Sequence, residues 1–548
     1  MLFLCLSLLP LYRLEAKEKP APRIVNVVNF IRLLEPRDPE RISEDVLYET
    51  VVQQVGQLKR HGLKGTFLLQ YDALIVPRYQ ELLKNGMYPG SEVGGWWEIT
   101  QPHVEAAGLK WRGRYPWDWH ADVGFATGYT PEEREKLVDV YMEKFKEVFG
   151  TYPASIGSWF IDAHTLAYMY DKYHIIASCN CKDQIGTDGY TLWGGYWNQA
   201  YYPSRKNAYM PAQTRDAQIP VPVFRMLGSD PIYQYDLGVG GSTQGVVSLE
   251  PVYGSAGSNR RWVEWFFRSM FEEPCLSFAY TQAGQENSFT WDAMKKGLEI
   301  QMPLLEAYQK AGTIRVQTLA ESGAWFSKQY PVTPPTAVTT LSDYKDNDRK
   351  TVWYNSRFYR SNLLWEGATF RVRDIHVFNE AYESDYLRKA GDSNQCVYTT
   401  LPFVDGCMWS TSDKHAGLRL KYRNAAGQMT EAEGGDPVVT EKGKVLHVAW
   451  PFDNGKATLQ IRFLEKQMEV SCLAADKHFD WCLEMSVAPD SRLPFVVLSG
   501  ADAKASQKGF DYTVSCKGGS FEDCRSASDN TVFRIKPDGR KIVLSLAQ

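Results

Sequence analysis

Several signatures are missing from this sequence, and each absence removes a class of function. No P-loop and no glycine-rich dinucleotide fingerprint occurs, so nucleotide-dependent chemistry has no recognisable cradle. No G-x-S-x-G elbow occurs either, because Gly157-Ser158-Trp159 lacks both the spacing and the second glycine. Lysine- and arginine-rich runs are absent and the formal charge is only −4, which leaves no footprint for nucleic acid or an anionic membrane surface. Beyond the N-terminus no apolar run is long enough for a membrane helix. Sequence repeats, low-complexity tracts and closed zinc-site spacings are missing too.

Aromatic residues are abundant. They make up 13% of the 548 residues, with 17 Trp and 31 Tyr. Many lie in loop-like stretches, including Trp96, Trp97, Trp111, Trp117, Trp119, Trp193, Trp197, Tyr201 and Tyr202. Aromatic faces outside a core suit sugar rings, although cores and interfaces use the same residues. The stretch Leu2 to Leu11 is short and apolar, as in a signal peptide cleaved near Ala16. A soluble protein exported to the periplasm or the extracellular space of a bacterium is therefore expected. Late cysteines fall in neighbouring pairs, Cys396 with Cys407, Cys472 with Cys482 and Cys516 with Cys524. An oxidising compartment permits bridges there, but sequence does not fix connectivity.

The length allows two or three domains. Arg23 to Ile31 is a nearly continuous apolar strand, which suits burial on both faces. Helices with capping signals then alternate with short strands at Gly65–Gln70, Ser91–Ile99, Ser155–Phe160, Ile175–Cys179, Val221–Met226, Val246–Glu250, Cys275–Tyr280 and Ile314–Leu319. Seven or eight such alternations predict a parallel sheet closed into a (β/α)7-8 barrel over residues 17–335, after a signal peptide at 1–16. Two long aromatic excursions, 100–130 and 186–207, are expected over its mouth. The proline-rich YPVTPP around residue 330 reads as a linker. Alternating segments after it predict a C-terminal all-β sandwich or jelly-roll domain over 336–548.

Three stretches carry a resemblance. Gly65-Thr66-Phe67-Leu68, Glu92-Val93-Gly94, and Tyr152-Pro153 through Ser158-Trp159-Phe160 stand in the order of motifs in the NodB-type polysaccharide deacetylase barrel. That superfamily also holds glycoside hydrolases, and the two-part layout is similar to an uncharacterised gut Bacteroidetes family of glycoside hydrolase/deacetylase type. The resemblance implies the barrel and a carbohydrate substrate. It does not carry over the metal. The aspartate region reads Val28-Asn29-Phe30-Ile31, the histidine positions read Trp96 and Thr100, and no H-x-x-x-H occurs in the chain. No metal or other cofactor is expected, because deacetylation by that route needs a polarising ion.

Glycoside hydrolysis needs two carboxyl groups across the scissile bond. Strand-end acids at the rim are Glu92, Glu98, Asp162, Glu250, Glu286 and Glu321. The resemblance favours Asp162 as nucleophile, since related glycoside hydrolases place theirs at the end of the fourth strand. Glu286 is its expected partner, Glu98 the rival, and His164 a tuning group; otherwise Asp162 caps a helix and Glu98 pairs with Arg112 or Arg114. Expected substrate contacts are Asn29, Trp96, Trp97, Trp119, His120, Asn180, Trp197, Arg225, Gln282, Asn287 and Glu321. The leading expectation is thus an exported, metal-independent glycosidase acting on an oligo- or polysaccharide. Its alternatives are a non-catalytic carbohydrate-binding protein on a degenerate barrel and a deacetylase with an atypical metal site. A homodimer stays open.

Overall fold

A computed structural model describes residues 20–476, 478–526 and 529–548. The proposed signal peptide lies outside the described residues. No helix among those described is long and apolar enough to cross a membrane.

The chain is mixed α/β, with a nearly closed barrel-like sheet and separate antiparallel sheets. In chain order its first strands are β1 (Arg23–Ile31), β2 (Thr66–Leu69), β3 (Glu92–Trp96), β4 (Ser155–Gly157), β5 (Ala177–Asn180), β6 (Gln184–Thr187), β7 (Tyr190–Trp193), β8 (Ala200–Tyr201), β9 (Val223–Arg225), β10 (Ala279–Ala283) and β11 (Arg315–Gln317). The barrel-like sheet runs β10-β1-β2-β3-β4-β5-β9-β8, parallel except for β8, and β11 lies against the first half of β1. The gap between β8 and β10 is bridged by a side chain: the Tyr280 N–H donates to Gln199 Oε1 at 2.7 Å.

Local sequence explains the crossover helices. Ser43 caps the helix Glu44–His61, and Gly62 ends it at φ 61°. Thr130 and Glu133 form a capping box with Pro131 at the first helical position, and that helix runs to Phe149. Inside the barrel Val28, Phe30, Leu68, Trp96, Cys179, Phe224 and Tyr280 fill the space between strands. Gly157 admits this packing, since a Cβ there would fall 2.5 Å from Cys179 Sγ.

Two expectations change. Val246–Glu250 is not a strand. It is a buried rim loop held by a single bridge, Ser229 to Ser248, and by Leu249 N–H bonds to Leu227 and Gly228. The excursion 186–207 is not open loop, because β7, β8 and part of β6 occupy it. The nine described cysteines are all free and buried, so none of the neighbouring pairs is bridged.

Residues 336–548 supply antiparallel strands, beginning with β12 (Thr336–Thr340), β13 (Arg349–Asn355), β14 (Tyr359–Glu366), β15 (Thr369–Val377) and β16 (Cys396–Thr399). A ten-stranded sheet starts at β12, and an eight-stranded sheet packs nearby through strands such as Val445–Phe452 and Ala457–Leu464. The turn between those two uses Asp453, Asn454 and Gly455, all with positive φ. This half is welded to the barrel. Trp353 stacks on Trp197 with centroids 4.2 Å apart, and Asn355 bonds both backbone groups of Trp197. Buried Arg360 pairs with Asp374 at 2.8 Å and with Asp183, which also holds Arg225 at 2.6 Å. β16 pairs in parallel with β7.

Removing one member of a buried ion pair leaves its partner's charge stranded, at a cost of about 3–5 kcal/mol. Arg360→Met should therefore lower the urea midpoint markedly, whereas the exposed pair Arg388–Glu383 should tolerate Arg388→Met with little change. Equal midpoints for the two variants would contradict the buried weld.

Candidate functional site

A cavity of about 410 Å³ opens where the strands of the barrel-like sheet end. Its wall comes from the segments that follow β1 (Glu35, Arg37), β4 (Trp159), β5 (Lys182, Gln184), β9 (Glu250, Tyr253) and β10 (Glu286). The C-terminal ends of parallel strands are where such sheets place their chemistry. A larger hollow, about 810 Å³, lies on the ten-stranded sheet around Lys421, Arg534 and Lys536. Those cations are already paired with Glu484 and Glu522. We take the smaller cavity as the site, because it gathers buried charge at the strand ends.

Beneath it lies Arg32, the first residue after β1 and fully buried. Its guanidinium grips Glu98 through two bonds of 2.6 and 2.8 Å and faces Glu286 at 2.8 Å. Trp117 lies under it, 4.1 Å from the ring centroid. Gln70 adds a bond to Glu98. Glu35 is held bidentately by Arg37. Three carboxyl groups thus meet two guanidinium groups, and one carboxyl is in excess.

The excess falls on Glu286. Burial raises its pKa to about 7; the charges of Arg32 and Arg37 oppose this, while Glu98 reinforces it. Ser288 Oγ donates to Glu286 Oε1 at 2.8 Å. Burial alone would also raise Glu35, but Arg37 and Arg32 hold it below the ordinary range. Farther round the rim, Lys182 Nζ lies 3.6 Å from Glu250 Oε1, and Ser248 donates to the other oxygen. Both side chains are almost fully buried. Behind Glu98, Asp72 is buried with Oδ2 unpartnered and is likewise pushed up to about 7, first by burial.

The expected site residues divide. Glu286 lines the cavity and Glu98 lies beneath it, paired with Arg32 rather than with Arg112 or Arg114. Asp162 does not reach the cavity. It caps the helix Ala163–Tyr173 through Thr165 and pairs with buried Arg134 at 2.9 Å. His164 pairs with Glu135 in a partly exposed position on the helix surface. Trp96 stacks on Phe30 inside the barrel, Trp97 packs against His103 and Tyr141, and Trp197 lies under Trp353, so all three are core.

Asn180 and Arg225 bond each other and the Asp183 network. Asn29 accepts from the Gln285 N–H, and Asn287 ties Arg32 to Leu47. Glu321 completes a capping box and pairs with Lys64 at the opposite end of the barrel. Trp119 and His120 are half-buried beside the rim, with Arg37 and Arg114 over the Trp119 ring. Gln282 is buried with neither amide atom partnered. Sequence reasoning missed Arg32, Lys182 and Gln184. Arg32 follows directly on β1, and Lys182 and Gln184 come two and four residues after β5; that strand-exit position was the available signal.

The deacetylase metal does not fit these residues. Its three positions are Asn29, whose amide oxygen is engaged, Trp96, buried against Phe30, and Thr100. Among the described residues no group of three or more His, Cys, Asp or Glu side chains is arranged to hold an ion.

No family model matches the chain, and no curated protein does. Among solved structures, a Parabacteroides distasonis protein provisionally named a glycoside hydrolase/deacetylase aligns with a TM-score of 0.51 and 16% identity, over 72% of this chain and 89% of that one. Provisionally named polysaccharide deacetylases from Mycobacterium smegmatis and Pseudomonas aeruginosa align at TM-scores of 0.33 and 0.35, with 11% and 12% identity, over 58% and 57% of this chain and 95% and 93% of theirs. The first likeness shows the fold alone: this chain shares the overall fold of that Parabacteroides distasonis structure.

Asp72 supplies a test of the buried-acid reading. Its carboxyl is neutral in the folded state up to about pH 7, whereas the unfolded group ionises near 4. Between those values the folded state holds the extra proton, so stability falls as pH rises. Asp72→Asn should melt with the wild type near pH 4 and above it at pH 8, by an amount on the order of 3–4 kcal/mol. A variant no more stable at pH 8 than at pH 4, relative to wild type, would refute the assignment.

Proposed function

We propose that this chain is an exported glycoside hydrolase with Glu286 as its general acid and Glu250 as its second carboxylate. On this reading residues 17–335 form the catalytic barrel and residues 336–548 a supporting β domain. The observation that carries the proposal is the pair of buried glutamates lining one cavity at the strand ends, one of them protonated near neutral pH. The names given to its structural neighbours support a carbohydrate as substrate.

Cleavage of a glycosidic bond passes through an oxocarbenium-like state. Glu286 would hand its proton to the departing oxygen as the C–O bond lengthens. Glu250, beside Lys182, would face the anomeric carbon as the second carboxylate, and water adds at that carbon to complete the hydrolysis. Trp159 and Tyr190 give the cavity an aromatic floor for the sugar ring. Asp162 has no part in this scheme, because both of its oxygens are occupied by the helix cap and Arg134.

Because the acid works only while protonated, kcat/KM should fall as pH rises through about 7. Glu286→Gln should lose about 100- to 10,000-fold on glycosides with poor leaving groups. It should lose far less on dinitrophenyl glycosides, whose leaving group needs no proton. EDTA should change neither rate. Sugar and acetate release from a panel of plant and host glycans, followed together by NMR, checks all of this. Undiminished Glu286→Gln activity on unactivated glycosides, or acetate release abolished by EDTA, would end the proposal.

A further inference from the structure

Two side-chain atoms on the cavity wall stand buried and without a hydrogen-bond partner among the described residues, Gln184 Nε2 and Thr187 Oγ1. Gln184 is only 2% exposed. An unpaired buried donor costs about 1–3 kcal/mol, and these two atoms belong to residues that line the cavity, where a ligand could pair them. Both residues belong to β6, at the two ends of one short strand. Gly186, Asp188 and Gly189 between and beyond them adopt positive φ. A Cβ on Gly186 would meet Ser242 O at 2.3 Å, so the hairpin is pressed against its neighbour.

The hairpin is not left to find its own position. β7 is flanked by β16, which comes from the far side of the barrel boundary, in the register Cys396 to Tyr190 through Thr399 to Trp193. The Cys396 N–H bonds Gly189 O at 2.9 Å at the tip of the turn. Between Lys182 and Gln184, Asp183 is anchored to Arg225 and Arg360. Rigid supporting elements of this kind are what a precise recognition group requires.

Charge narrows the ligand. Arg37 is committed to Glu35 and Asp188, Arg41 to Asp38, and Lys182 to Glu250. No cation of the cavity is left over for a carboxylate or sulfate, while Glu286 is a surplus acid. The unfilled valences are the two N–H donors of one amide and one hydroxyl, which match sugar hydroxyl oxygens.

We infer that the β6–β7 hairpin is the specificity element of this cavity, and that Gln184 and Thr187 bind the hydroxyls of a neutral sugar residue. The inference rests on the cavity being the carbohydrate site proposed above, but not on turnover there. Binding is therefore the test. Thermal shift would be measured with glucose, galactose, mannose, xylose and N-acetylglucosamine, and with glucuronate and galacturonate, on wild type, Glu286→Gln, Gln184→Met and Thr187→Val.

At least one neutral sugar should raise the melting temperature of the wild type and of Glu286→Gln. Its apparent affinity should fall about tenfold in Gln184→Met and again in Thr187→Val. Without sugar, those two variants should melt no lower than wild type, since each removes an unpaired polar atom rather than a used one. A lower melting temperature without sugar would assign both residues to folding and overturn the inference. So would an unchanged sugar response in the variants, a response to uronates alone, or none to any neutral sugar. If Glu286→Gln binds sugar while no glycan is cleaved by the wild type, the hydrolase reading fails and the hairpin's role stands.

Discussion

Asp183 is the residue on which the two halves of this protein agree. Its carboxylate lies buried between Arg225, which ends β9 of the barrel, and Arg360, which sits on β14 of the antiparallel half. Tyr209 donates to it as well. A carboxylate with two guanidinium partners and a phenol repays its desolvation only if all of them hold their geometry, so the pair fixes position more than it adds stability. Its sequence neighbours, Lys182 and Gln184, face the mouth cavity instead. An interface lock and a ligand-facing wall are therefore consecutive residues on one strand exit. The β-rich half thereby takes part in shaping the cavity without placing a side chain in the part of the wall described.

Much of the scaffold was legible because it follows local rules. Caps at Ser43 and Thr130, glycines at 62 and 150, and the continuous apolarity of β1 each determine a boundary by chemistry within a few residues. The strand predicted at Val246–Glu250 failed for a tertiary reason. Val247 and Leu249 are buried, but they close the rim as a loop, and apolarity alone does not separate those cases. Trp96 and Trp97 were misplaced for a related reason. In GGWWEI nothing in the pattern says which ring turns into the barrel and which into the helix layer; the structure buries both.

The site was legible by residue type and less so by partner. A strand-end acid is equally good as a helix cap and as a catalytic group, and Asp162 took the first role because Arg134 and Thr165 were there to receive it. Glu286 could be named from its strand-end position. What sequence did not show was Arg32, two and a half hundred residues earlier in the chain, whose single charge is shared between Glu98 and Glu286.

That sharing sets one buried guanidinium charge between two carboxyl groups at the base of the cavity. A divalent metal activates by concentrating positive charge, and it needs a cage of histidines and acids. Here the motif positions hold Asn29, Trp96 and Thr100, Trp96 is stacked on Phe30, and acids line the rim cavity instead. With two arginines set against three buried carboxyl groups, neutrality is reached by keeping one proton, and burial decides that Glu286 keeps it. A proton held near neutral pH beside an aromatic floor suits the cleavage of a bond whose leaving group must be protonated. The same charge count leaves the cavity without a free cation, so the proposed acid chemistry and the inferred preference for an uncharged sugar would arise from one arrangement.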